Sequence, residues 1–151
     1  MTVEIREHPF DPWQAVSEYR STRLASGKSG ASAVFVGTMR DFNEGDEVQA
    51  MVLEHYPGMT ESSIDAIIAE AESRWPLLVT QVIHRVGTLQ PEDQIVLVLV
   101  ASGHRDAAFA AAQFIMDYLK TRAVFWKKEA STRGSQWIES TEQDQERSDK
   151  W

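Results

Sequence analysis

The chain has no cysteine among its 151 residues, which excludes disulfides, thiolate metal sites and a cysteine nucleophile. It also lacks any apolar run approaching the roughly 18–20 residues that span a bilayer. The longest candidate, Ile95 to Ala101, reads as a buried strand. The start, Met1-Thr2-Val3-Glu4-Ile5-Arg6, is without the basic-then-apolar order of a secretory signal, and a cytoplasmic protein is the expectation. His8, His55, His84 and His104 show no His-x-x-x-His spacing, so no metal site is expected. There is no Gly-x-Ser-x-Gly elbow and no dinucleotide-binding Gly-x-Gly-x-x-Gly, and no cofactor is expected either. Ser26-Gly27-Lys28-Ser29-Gly30 resembles the end of a phosphate-binding loop only superficially, because the upstream glycine is missing.

Positive charge is scarce: 15 Lys and Arg stand against 23 Asp and Glu, a net charge of −8. The deficit is uneven. Between Lys120 and Arg133 five basic residues (Lys120, Arg122, Lys127, Lys128, Arg133) meet one acid, Glu129, so this window carries +4 while the rest carries −12. An acidic body argues against general nucleic-acid binding, which rests on phosphate neutralisation. A small basic island is either a solvated loop or a site for a small anion.

What is present is ordinary globular composition, 42% hydrophobic and 25% charged, in a length that suits one domain. Residues 1–139 are expected to form it, with 140–151 a polar, mobile tail. Thr2 to Arg6 alternates as a strand. Asp11-Pro12 offers an N-cap and a first-turn proline for a helix to about Ala25. Ala31 to Thr38 and Glu47 to His55 read as two strands of a long-looped hairpin around Arg40–Asp46. Thr60 can cap a helix to about Trp75 with Ile64, Ile67, Ile68 and Ala71 on one face. Val79–Val86 is the next strand, Gly87–Asp93 a turn, and Gln94–Ser102 a central strand covered on both faces. A helix from about Asp106 to Arg122 carries Ala108, Ala111, Ala112, Ile115 and Leu119 on one face. Phe125–Ala130 and Gln136–Glu139 are short strands around Arg133-Gly134. The order predicts an α+β fold with helices packed on a mainly antiparallel sheet.

Four features could carry chemistry. Arg40 follows a strand end, where functional residues gather more often than in cores, although a lone loop arginine is commonly just solvated. His104-Arg105 falls at a helix N-terminus that favours anions, a place a plain cap would also fill. Lys120 ends the same helix, where a lysine complements the dipole. In Trp126-Lys127-Lys128-Glu129, strand alternation puts Lys127 opposite to Trp126 and Lys128, so one lysine points away from the tryptophan. A lysine among cations and apolar groups has a lowered pKa and can act as base or nucleophile. Arg105 and Lys120 are fifteen residues apart on one helix, about 22 Å at 1.5 Å per residue. A single small substrate cannot touch both within one chain. Either there are two sites, or one site forms across a two-fold dimer.

Several stretches together resemble the large subunit of molybdopterin synthase. They are Phe35-Val-Gly-Thr-Met-Arg40, Leu53-Glu-His-Tyr-Pro-Gly-Met-Thr60, Ile83-His-Arg-Val-Gly87, His104-Arg105 with Ala108-Phe109, Phe114-Ile-Met-Asp-Tyr-Leu-Lys120 and Phe125-Trp-Lys-Lys-Glu129. They keep family order from about residue 30 to 139. The resemblance implies a hammerhead-like α+β core with a small additional β subdomain. It implies a homodimer in which each chain docks a small ubiquitin-like subunit ending in a Gly-Gly thiocarboxylate, giving a heterotetramer. The implied reaction is transfer of two sulfurs to cyclic pyranopterin monophosphate, forming the molybdopterin dithiolene of the molybdenum cofactor. Lys120 and Lys127 correspond to the catalytic lysines. Thr38, Met39, Arg40, His104, Arg105, Lys128 and Glu129 correspond to substrate-binding positions. Val124 departs from the family, where many relatives carry proline. Two other readings stay open: a non-catalytic dimeric scaffold that docks the ubiquitin-like tail, and an anion-binding module unrelated to pterins.

Overall fold

The computed structural model describes residues 3–24, 27–43, 46–131, 134–138 and 140–151, with backbone alone for 42–43, 46–49, 129–131 and 134–138. In chain order the elements are β1 (Val3–Arg6), α1 (Pro12–Arg23), β2 (Ala31–Thr38), β3 (Phe42–Asn43), β4 (Asp46–His55), α2 (Met59–Arg74) and β5 (Leu77–Arg85). They continue with β6 (Gly87–Leu89), β7 (Gln94–Ser102), α3 (Arg105–Leu119), β8 (Phe125–Ser131), β9 (Gly134–Ile138) and α4 (Glu142–Asp149).

The apolar run in β7 organises the molecule. Val96 to Ser102 are all buried, as a strand covered on both faces must be. A four-stranded sheet runs β1-β5-β7-β2; β1 and β5 are parallel and the other pairs antiparallel. On one face Val96, Val98 and Val100 pack with Ile64, Ile67 and Ile68 of α2 and with Ala108, Ala111 and Ile115 of α3. On the other, Leu97 and Ile83 meet Ala15 of α1 and Phe10, which precedes that helix. The helix face expected on each of α2 and α3 is the one that is buried.

A second, wholly antiparallel sheet of five strands runs β3-β4-β8-β9, with β6 also on β4. Met39, Met51, Leu53, Val86 and Leu89 form a core between the sheets, against Ile5, Ile95 and Phe125. The fold is therefore α+β with an added β unit, as the sequence predicts. None of the described helices is long and apolar enough to cross a membrane.

Four local expectations need correction. The β2–β4 hairpin does not exist: β2 pairs with β7, and β4 pairs with β8. Sequence neighbours usually pair, but β2 adjoins the long apolar β7, and residues 39–41 carry the chain across to β3 in the other sheet. The expected turn after Val86 contains β6, which ties the sheets together. Gly58, at φ +85, rather than Thr60, is the N-cap of α2; Thr60 is fully buried in the first turn. Finally, the expected polar tail contains a helix. Thr141 and Asp144 form a reciprocal capping box at its start, and Trp151 packs edge-on to Trp75 and Phe114.

Candidate active site at the junction of the two sheets

A lysine with a lowered pKa lies where α3 ends and the two sheets meet. Lys120 is the C-cap of α3. Its ammonium pKa is lowered, first by desolvation and then by repulsion from Lys127; Arg40 and Arg147 push the same way and Asp144 opposes them. Lys120 keeps solvent contact, so the loss of water is partial and the convergence of like charges matters beside it. Two residues singled out in the sequence, Lys127 and Arg40, thus act on a third, Lys120, within one chain.

Each is held by local structure. Arg40 follows β2, and the preceding residue is pinned at both ends: the Met39 N–H donates to the Asp93 carbonyl (2.9 Å), and the Glu92 N–H donates to the Met39 carbonyl (2.8 Å). Glu92 has φ 77, a left-handed conformation uncommon outside glycine, and this turn places its N–H toward Met39. Met39, Arg40, Asp41, Pro91 and Glu92 line an open cleft of about 420 Å³. The Met39 side chain, however, is buried in the inter-sheet core, so only its backbone is available to a ligand.

Lys127 lies in β8 opposite Leu53, while Lys128 and Trp126 lie opposite Val52 and Glu54. Alternation therefore puts Lys127 on the side of buried Leu53 and Phe125, away from Trp126, which is exposed. Lys128 is half-buried on the other side. Glu129 pairs with Met51 through the backbone; its side chain lies outside the described residues.

The segment between Lys120 and Lys127 is clamped. The Thr60 hydroxyl donates to the Val124 carbonyl (2.6 Å) and the Val124 N–H donates to Ser63 Oγ (3.2 Å). A proline at position 124 has no N–H and could make only the first of these bonds.

His84, to which no role could be assigned from the sequence, sits beside this cluster. It is buried and stacks on Phe125 at 4.2 Å between centroids. Its Nδ1–H donates to the Arg85 carbonyl at 2.8 Å, the role fixed by a carbonyl that can only accept. Burial pushes its pKa down to about 4; the hydrogen bond opposes this, and Lys120 repels the imidazolium further. A histidine following the apolar pair Val82-Ile83 in a strand was the available signal. Asp144 and Arg147 of α4 were missed too, although Thr141-x-x-Asp144 is a capping-box pattern.

His104 and Arg105 stand apart. Both are exposed at the N-terminus of α3, with His104 the N-cap and making no side-chain cap bond. The 15 helical residues up to Leu119 separate them from Lys120 by about 22 Å, and neither is among the groups acting on Lys120. Thr38 is exposed at the end of β2, next to Arg40. One chain therefore holds Thr38, Arg40, Lys120 and Lys127 at one end of α3 and His104-Arg105 at the other.

Comparison with known proteins converges on one family. The family described as MoaE protein matches residues 5–122. The molybdopterin synthase catalytic subunit of Pseudomonas aeruginosa is 48% identical over 151 residues, covering 100% of this chain and 99% of the relative. The protein of the same name from Salmonella typhimurium is 53% identical over 137 residues, 91% of each. Among solved structures, molybdopterin cofactor biosynthesis protein E from Burkholderia multivorans superposes with a TM-score of 0.81 at 44% identity, covering 99% of this chain and 95% of that one.

Proposed function

The chain belongs to the MoaE protein family, and from that membership we propose that it is the catalytic subunit of a molybdopterin synthase. It transfers two sulfurs from a thiocarboxylated small subunit to cyclic pyranopterin monophosphate, in the cytoplasm. The sulfur comes with the partner, since this chain has no cysteine. The observation that carries the site assignment is the lowered pKa of Lys120 beside Lys127 and Arg40.

An amine with a depressed pKa has a larger neutral fraction near pH 7 and can accept a proton or attack a carbonyl carbon. Lys120 takes the proton-accepting role. Lys127 and Arg40 supply fixed positive charge for the substrate phosphate and for negative charge that develops as each acyl–sulfur bond breaks. The cleft beside Arg40 leaves room for an extended C-terminal peptide. Thr38, the Met39 backbone, Lys128 and Glu129 border the substrate, and His104-Arg105 reach the same site from a second copy of the chain. The assembly is a homodimer carrying two small subunits.

The test is reconstitution with a thiocarboxylated small subunit and cyclic pyranopterin monophosphate, assayed for dithiolene product. Lys120→Ala and Lys127→Ala should each abolish product while the far-UV spectrum and melting temperature stay unchanged. Full turnover by both variants would refute the assignment.

A further inference from the structure

We propose that Arg147 of α4 is a further substrate-binding residue, a guanidinium that takes the phosphate of the pterin substrate at the end of α3. The identity of that substrate rests on the function proposed above. The anion contact itself is argued from the way α4 is held.

The eight residues of α4, Glu-Gln-Asp-Gln-Glu-Arg-Ser-Asp, include no apolar side chain. A helix that is polar all round has no hydrophobic face with which to dock. This one is nonetheless fixed in place. Ser148, its one buried residue, donates to the Asp117 carbonyl (2.9 Å), and its oxygen lies 2.6 Å from Thr121 Oγ1. A hydroxyl has one proton to give, so Ser148 accepts from Thr121. The residues that follow add three more ties. Trp151 Nε1–H donates to Asp117 Oδ2 (2.6 Å), Lys150 Nζ stands 3.9 Å from the same oxygen, and Arg74 donates to the Trp151 carbonyl (2.8 Å). Asp117 and Thr121 bracket Lys120, so α4 is pinned to the very turn that carries the amine.

The pinning decides what α4 presents. Lys120 precedes Thr121 and Arg147 precedes Ser148, so the bonded hydroxyls bring the two cations alongside each other. Arg40 comes from the loop after β2, Lys120 from the end of α3, Lys127 from β8 and Arg147 from α4. Four cations from four elements thus converge in a chain of net charge −8. Among the described residues, Asp144 is the acid that offsets them at Lys120. The surplus is three positive charges when Lys120 is protonated, more than one carboxylate neutralises and suited to a phosphate.

A purely structural role leaves Arg147 underused. Its ion pair with Asp144 measures 3.8 Å and its side chain is 59% exposed. That distance lies outside hydrogen-bond range, and a solvent-open pair of this kind contributes little to stability. Asp144 is meanwhile committed to the helix cap, its Oδ2 accepting from the Thr141 N–H (3.2 Å). The guanidinium therefore keeps its fork of N–H donors open to solvent beside Lys120. Such a fork grips two phosphate oxygens at once, where an ammonium acts as a point charge.

Arg147→Ala, Arg147→Lys and Glu146→Gln are compared in the reconstituted synthase, with the pterin substrate and the small subunit varied in turn. Glu146 is the exposed neighbour on the same helix and is not among the groups acting on Lys120. Arg147→Ala should raise the KM for cyclic pyranopterin monophosphate about tenfold, the effect of losing one charge-assisted hydrogen bond. The KM for the small subunit and the melting temperature should not move. Arg147→Lys should recover part of the loss, and Glu146→Gln should behave as wild type. A second measurement does not depend on turnover. Inorganic phosphate should protect Lys120 of the wild type from amine labelling, and Arg147→Ala should need about tenfold more of it. Sodium chloride at equal ionic strength should not protect.

An unchanged pterin KM together with unchanged phosphate protection in Arg147→Ala would overturn the contact while leaving the catalytic assignment untouched. A change confined to the KM for the small subunit would give Arg147 to the terminal carboxylate of that partner and overturn the phosphate assignment. Equal protection by sodium chloride, or a comparable fall in pterin KM for Glu146→Gln, would reduce the effect to bulk charge and overturn it too. Weakened phosphate protection in Arg147→Ala, with no dithiolene from the wild type, would sustain the anion contact and sink the catalytic reading.

Discussion

Acidification should weaken this fold through one side chain, and the size of the effect can be worked out. His84 has a folded pKa of about 4 against an ordinary value of 6.5. The unfolded chain therefore binds the proton more tightly, and stability rises with pH wherever only the unfolded state is protonated. The contribution is fully present above pH 6.5 and is lost as pH falls toward 4. Two and a half units at 1.36 kcal/mol each give a limit of about 3 kcal/mol. Between pH 7.5 and pH 5 the same linkage removes about 2 kcal/mol. For a chain of this length that lowers the melting temperature by about 4–8 °C.

The assay is urea denaturation at fixed protein concentration across that range, with His84→Phe as comparator. Phenylalanine keeps a ring to stack on Phe125 but cannot ionise. It also gives up the hydrogen bond to Arg85, so its stability at pH 7.5 should be lower. The diagnostic quantity is the slope: wild type should lose about 2 kcal/mol more than His84→Phe between pH 7.5 and pH 5. Parallel curves would refute the claim that buried His84 resists protonation.

Lys127→Met removes the like charge that acts most strongly on Lys120, so the Lys120 pKa should rise toward its ordinary value. Amine labelling followed by mass spectrometry should show the midpoint for Lys120 moving to higher pH, an outcome that does not depend on turnover. Trp151→Ala deletes two edge-on aromatic contacts and the 2.6 Å hydrogen bond from Nε1–H to Asp117 Oδ2, and should cost about 3 kcal/mol in urea denaturation. Trp151→Phe, which keeps a ring and loses the donor, should recover part of this; a loss under about 0.5 kcal/mol for the alanine variant would mean that the C-terminus contributes little to stability.

The legible parts of the fold were those with a strong period or a local cap. Asp11 does accept from Trp13 and Gln14 N–H groups at the start of α1, and the buried faces of α2 and α3 follow from spacing alone. Strand partners were not legible, because alternation marks a strand without saying which neighbour it joins. The C-terminal helix was hidden by composition: its mean polarity suggests a solvated tail, and its anchor is a single terminal tryptophan reaching Asp117 from 34 residues away in sequence. In the site, strand alternation correctly separated Lys127 from Trp126. The joining of Arg40, Lys120 and Lys127 came from tertiary packing that no spacing rule contains. Met39 shows that a residue inside a functional motif can also serve the core.

The cationic cluster also explains why so many hydrogen bonds converge on its supports. Lys127, Arg40 and Arg147 all disfavour the charged form of Lys120, and among the described residues Asp144 opposes them. Such crowding destabilises the folded state unless an anion relieves it. The surrounding structure resists the strain: Met39 is bonded on both sides to the Glu92-Asp93 turn, Val124 is fixed to two residues of α2, and His84 stays neutral where another charge would add repulsion. In the proposed homodimer, Arg105 of a second chain brought to the same place would increase the positive charge again. If the proposed assembly forms, association and binding of a phosphate-bearing substrate would be coupled, because the anion removes repulsion that dimerisation introduces. By linkage the coupling is reciprocal: the substrate anion tightens the dimer by the same factor by which the dimer tightens its hold on the anion.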